Sequence, residues 1–235
     1  MKKQILPLVI TTVFSLFMGS LVAQGLETRP LDDFDAISIA TGINATIIQG
    51  NKNSIEIETK GIDTDRIITT IKGGRLTVKV KDKWYNMLNR KPRAIKATLT
   101  FSGDISAISI SSGADVESDG LIESSNLRLK VSSGARAQLH VSANVMDISV
   151  SSGATARVKG DANDVDVSVS SGATYSGIDL IAGSVNAKAS SGATARVHAQ
   201  DAIRARASSG GSITYEGSPS TKDIDNSSGG SVRRI

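Results

Sequence analysis

Asp161, Asp164 and Asp166 form an acidic group within the repeats. Hydrolysis of a glycosidic bond needs two carboxylates at a defined separation, one as acid and the other as base or nucleophile. One repeat later, Gly183, Ser184 and Asn186 stand where further acids would be needed, so no catalytic pair is nominated and the aspartates read as turn residues. The two histidines, His140 and His198, have no ligand-like partner at helical or hairpin spacing, and the chain contains no cysteine. Disulfides, thiolate zinc or redox sites and an N-terminal lipid-bearing cysteine are thereby excluded, and neither a metal nor a cofactor is expected. Calcium-binding Gly-Gly-x-Gly-x-Asp repeats, phosphate loops and nucleophile elbows are absent from the sequence.

One further segment has binding chemistry. Trp84, the single tryptophan, and Tyr85 precede Arg90, Lys91 and Arg93, with Lys79, Lys81, Lys83 and Lys96 nearby. An aromatic loop beside positive charge suits a partner protein, an acidic glycan or a lipid surface. The competing reading makes Trp84, Met87 and Leu88 a plug for the end of a core.

The elements that would position these residues follow from a repeat. Ser-Ser-Gly-Ala begins at Ser111, Ser132, Ser151, Ser170 and Ser190, and Ser-Ser-Gly-Gly at Ser208 and Ser227, in steps of 18–21 residues. A period near twenty marks a solenoid. Around each copy the apolar residues keep one parity, as in Leu127, Leu129, Val131, Ala135, Ala137, Leu139 and Val141, while Arg128, Lys130, Arg136, Gln138 and His140 take the other. Period two is the strand signature, with one face inward. A twenty-residue copy is too short for a propeller blade, holds no helical period and lacks the leucine-rich pattern. The expected fold is all-β: a right-handed parallel β-helix of ~19–20-residue coils. With aromatics at only 3% of residues, its core must be a narrow one of Val, Ile and Ala.

The second serine of each copy shares the apolar parity. The sequence therefore predicts an inward hydroxyl column of Thr41, Ser112, Ser133, Ser152, Ser171, Ser191, Ser209 and Ser228, each hydroxyl bonding its neighbour. On this assignment arginine in place of Ser152 disrupts the core, and in place of Ser151 it does not. The first serines, and Thr155, Thr174 and Thr194, fall on outward rows, where hydroxyl ladders suit sugars or ordered water.

Residues 1–23 read as a secretory signal: Lys2-Lys3, an apolar stretch and a cut after Ala23. Without Lys2 and Lys3 the 27 basic residues fall to 25 against 23 acidic ones, so the charge balance does not point to nucleic acid. Residues 24–104 are assigned to a divergent first coil, built on Ala36–Ile47, plus an antiparallel strand cap with a hairpin at Lys72-Gly73-Gly74-Arg75. Residues 105–235 hold the repeats.

Thr41-Gly42-Ile43-Asn44, the recurring Ser-Ser-Gly-Ala and the closing Ser228-Gly229-Gly230-Ser231-Val232-Arg233-Arg234-Ile235 resemble the head-GIN domain family of auto-transporter adhesins, typical of Bacteroidetes-type bacteria, over about residues 31–235. The resemblance implies an exported β-helix and carries over no catalytic residue. No autotransporter barrel is expected after Ile235. The combined expectation is a non-enzymatic, adhesin-like protein of the periplasm, the outer-membrane surface or the medium, with no membrane span once the signal is removed. Its partner would be a cell-surface glycan or an envelope protein; a polysaccharide-binding or polysaccharide-degrading β-helix is the alternative.

Overall fold

Alternating parity predicts which side chains leave water, and the computed structural model, which describes residues 24–81 and 94–235, buries the repeat's apolar parity as far as Tyr215 and leaves Ile224 of the last coil exposed. From Ile108 to Tyr215 the inward Val, Ile, Leu and Ala residues form one continuous core. The fold is an all-β solenoid of about seven turns. Its first face stacks β2 (Ala36–Ile39), β8 (Ala107–Ile110), the C-terminal parts of β10 (Ile122–Val131), β11 (Arg136–Val150), β12 (Thr155–Val169), β13 (Thr174–Ala189) and β14 (Thr194–Ala207), and β16 (Thr221–Asn226). The second face stacks β3 (Asn44–Gln49), β9 (Asp115–Ser118), the N-terminal parts of β11 to β14, β15 (Ser212–Glu216) and β17 (Ser231–Arg234). All these pairings are parallel, so equivalent residues of successive coils lie one strand spacing apart, ~4.8 Å.

The two faces meet at the Ser-Ser-Gly corner. Thr41, Ser112, Ser133, Ser152, Ser171, Ser191, Ser209 and Ser228 do share one structural position, but they do not point inward. All eight have positive φ, between 48° and 65°, and so does the glycine after each. The alanine N–H donates back to the first serine carbonyl, as Ala154 does to Ser151 at 3.2 Å. Two successive left-handed residues closed by this bond form a type I′ turn. Ser112, Ser133, Ser152, Ser171, Ser191, Ser209 and Ser228 are exposed and the first serines of the first six copies are half-buried, which corrects the hydroxyl column. Alternation belongs to extended backbone, and counting parity through two left-handed residues carried it past the point where it applies.

The corner repeats its own bonds. Gly113, Gly134, Gly153, Gly172 and Gly192 each donate to the second serine's carbonyl on the next coil at 3.0–3.1 Å. A Cβ at any of these five glycines would meet nothing within 4 Å, so glycine serves the positive φ and not a shortage of room. The alanine that follows is buried beneath the turn. Tyr175 occupies an inner row between Ala156 and Ala195, and the register shift that follows in β13 gives its ring room over Gly177, where a Cβ would strike the Tyr175 hydroxyl. Burial pushes the Tyr175 phenol up.

The N-terminal end departs from a simple cap. β2 and β3 pair with β8 and β9 in the register that the offset of Thr41 from Ser112 requires, Ile37 opposite Ile108 and Ala45 opposite Val116. Beyond them lie β6 (Arg75–Val80) against β2 and β7 (Ala94–Phe101) against β3, both parallel. The coil that comes first in sequence is therefore second in the stack. The antiparallel expectation holds for the outer strands: β5 (Ile67–Lys72) pairs with β6 across Gly73-Gly74, and β4 (Ser54–Lys60) lies between β7 and β1 (Gln24–Pro30).

Arg29 ties this end together. Its guanidinium takes both Glu27 oxygens at 2.8 Å and donates to the carbonyls of Thr64 and Ile67 and to Thr69 Oγ1. The Arg29 hydrogen bonds hold the half-buried Glu27 carboxyl at about 2, against its usual 4.5.

Two outcomes follow. Ser152→Arg leaves the thermal midpoint nearly unchanged, Ser152→Val costs about 1–2 kcal/mol because a β-branched residue resists positive φ, and Ala154→Arg prevents folding. Because the Glu27 pKa is depressed in the folded protein, its contribution is complete above about pH 4.5 and is lost as pH falls towards 2. Urea unfolding followed across that window shows a stability loss that Glu27→Gln reduces.

Candidate functional site

Side chains able to do chemistry stand on the outward rows, so the coil register decides which of them meet. The first face has a row reading Arg128, Asp147, Asp166, Asn186, Arg204 and Asp223 on consecutive coils. Asp147 and Asp166 are thus neighbouring carboxylates, a pairing that the sequence reading missed although they lie one repeat apart. Each is already bound across a coil boundary: Arg128 Nε to Asp147 at 3.2 Å, and Asn186 Nδ2 to Asp166. Arg204 Nε closes the row on Asp223 at 2.7 Å. Asp161 accepts the Ser142 hydroxyl at 2.8 Å. Asp161, Asp164 and Asp166 do not converge: Asp161 sits at the bend between faces, and the other two follow it on the first face.

That bend carries a polar groove of about 400 Å³ lined by Gln49, Asp104, Glu123, Ser125, Asn144 and Asn163 among others. The lining residues largely bind one another and the backbone. Gln49 accepts from the Glu123 N–H at 2.7 Å and donates to the Gly103 carbonyl at 2.9 Å. Asp104 accepts the Ser125 N–H, and Asn163 donates to Asn144 at 3.4 Å. Burial works to raise the Asp104 carboxyl, but hydrogen bonds from Ser124 and Ser125 outweigh it and leave it lowered. These contacts shape the bend and set up no nucleophile beside a base.

His140 and His198 lie on the second face in different coils. The His140 N–H donates to Ser118 Oγ, while His198 Nδ1 lies 3.3 Å from the Ile178 carbonyl and 3.8 Å from Glu216. No cluster of three metal-ligating side chains occurs among the described residues. Trp84, Tyr85, Arg90, Lys91 and Arg93 fall in residues 82–93, outside the described residues, as does the signal assignment of residues 1–23. No helix among the described residues is long and apolar enough to cross a membrane.

A parallel solenoid with polar outward rows and an N-terminal strand cover defines a class of repeat scaffold whose exposed faces are its working surfaces. The chain belongs to the head GIN domain family: the family model described as "Putative auto-transporter adhesin, head GIN domain" matches residues 33–219. Solved structures share the fold. One, described as a "putative adhesin" from Bacteroides fragilis NCTC 9343, is 17% identical with a TM-score of 0.80, covering 91% of this chain and 97% of that one. A "putative adhesin" from Parabacteroides merdae ATCC 43184 is 18% identical with a TM-score of 0.67, covering 90% and 96%. A "Putative lipid binding protein" from Parabacteroides distasonis ATCC 8503 is 15% identical with a TM-score of 0.63, covering 90% and 96%. Among curated proteins no sequence matches this chain.

If the first-face row is a surface ladder, Asp147→Ala and Asp166→Ala each cost less than about 1 kcal/mol in urea unfolding. A loss of several kcal/mol would assign the row a part in holding the fold.

Proposed function

We propose that this protein is an exported, non-enzymatic, adhesin-like module that binds a cell-envelope partner through its outward rows. Membership in the head GIN domain family supports the adhesin-like part, and the Lys2-Lys3 stretch with its apolar run supports export. The observation that carries the non-enzymatic part is the state of the carboxylates. Asp147, Asp161 and Asp166 each accept a hydrogen bond from a residue of a neighbouring coil, so their carboxylates are engaged along the surface ladder. Glycoside hydrolysis would instead need one carboxyl kept as an acid and a second placed across a substrate cleft.

The experiment is binding of the labelled protein to whole bacterial and host cells and to a broad glycan array. Saturable binding to an envelope component, with no product released from any glycan, is expected. Absence of binding in every format contradicts the adhesive reading, and glycan turnover that disappears in Asp166→Asn contradicts the non-enzymatic one.

A further inference from the structure

The second face has a charge pattern that the first lacks. Its row beside the corner carries a hydroxyl on five consecutive coils: Thr155, Thr174, Thr194, Ser212 and Ser231. The next outward row, in the same coils, reads Arg157, Ser176, Arg196, Thr214 and Arg233. Arginines therefore stand on alternate coils, ~9.6 Å apart as two strand spacings, with a hydroxyl residue between. Neither row contains an acid over these coils.

On the first face the arginines are paired, Arg128 with Asp147 and both Arg204 and Arg206 with Asp223, while Lys130 and Lys188 stand in the neighbouring outward row without an ion pair among the described residues. On the second face Arg157 and Arg196 are exposed and have no ion-pair or hydrogen-bond partner among the described residues. Arg233 is exposed and reaches only the hydroxyl of the buried Thr214, at 3.5 Å. Acids enter the same rows only two coils before Arg157, at Asp115 and Glu117, and Asp179, in the irregular part of β13, lines one groove with Arg157 and Ser176.

We propose that these two rows form a binding track for a linear acidic polysaccharide lying along the solenoid axis, an inference that rests on the adhesin-like reading above. A guanidinium presents a planar fork of donors matched to a carboxylate or sulfate. Short serine and threonine side chains leave the neighbouring row flat, and their hydroxyls both donate to and accept from sugar hydroxyls. A cation every second coil suits a chain that offers an anionic group at least once per pair of sugar rings, as polygalacturonate and dextran sulfate do. A nucleic acid strand places a phosphate about every 3.4 Å and would call for a cation on every coil. The shared ligand chemistry is a repeated anionic group on a sugar polymer, either carboxylate or sulfate.

The test is affinity electrophoresis of the whole protein through gels containing polygalacturonate, dextran sulfate or neutral dextran. Retardation by polygalacturonate, relieved by salt and absent in neutral dextran, is expected. Arg157→Gln combined with Arg196→Gln weakens it about tenfold, the size of two exposed charge contacts, at an unchanged melting temperature. Arg128→Gln combined with Arg204→Gln leaves retardation as it is. Retardation by dextran sulfate alone, lost in the Arg157/Arg196 variant, supports the track with sulfate as the anion. The inference is overturned if the Arg157/Arg196 variant is retarded like the unmodified protein, or if no anionic gel retards the protein. If cell binding persists without retardation, the track alone fails; if both are missing, the adhesin-like reading fails with it.

Discussion

Every coil has to turn between its two faces in a few residues, and the structure depends on how it does so. Two consecutive left-handed residues, a serine or threonine and then a glycine, are repeated at eight corners. A non-glycine residue in this conformation costs about 1–2 kcal/mol. The cost is offset locally by the turn's own hydrogen bond and by the glycine N–H that reaches the next coil's serine carbonyl. Because the turn is short and of fixed shape, the strands entering and leaving it stay in register with those above and below. The straight outward rows of both faces are a consequence of that register, and so is the closed core of small aliphatic residues beneath them.

The ends meet the same constraint differently. At the N-terminal end, β6 and β7 add a coil beyond β2 and β3, and β1, β4 and β5 then run antiparallel. Antiparallel strands cannot continue a parallel coil, and they shield an edge that would otherwise template further pairing. Arg29 fixes β1 to the Thr64–Thr69 segment through side-chain and backbone acceptors, so this cover is held by charge-assisted bonds in addition to apolar packing. At the other end the residues of β16 are all exposed, in contrast to the alternating β14.

The repeat, the strand period, the identity of the core and the place of Ala36–Ile47 as a divergent coil were legible in the sequence, because each rests on local alternation or on a fixed offset between copies. The direction in which the serines point was not. Ser152 has the parity of Val150 and Ala154, and only its φ separates it from them. The parallel pairing of β6 with β2 was likewise hidden, since alternation records which residues are buried and not which way a strand runs. Among outward residues, Gly-Ala-Thr-Ala-Arg-Val occurs at both Gly153–Val158 and Gly192–Val197, a signal that would have placed Arg157 and Arg196 in one row; the intervening Tyr175-Ser176 copy obscured it. The aspartates were compared with the following coil, where Asn186 stands opposite Asp166, and not with the preceding one, which brings Asp147 beside Asp166.

The outward serine at each corner is the claim on which the account turns, and the absence of cysteine from the chain makes it directly measurable. Native-state thiol labelling compares Ser152→Cys with Ala154→Cys. The account predicts that the Ser152→Cys thiol reacts in the folded protein at nearly its unfolded rate, while the Ala154→Cys thiol stays protected until the protein unfolds. Protection of the Ser152→Cys thiol in the folded protein would contradict it and restore an inward column.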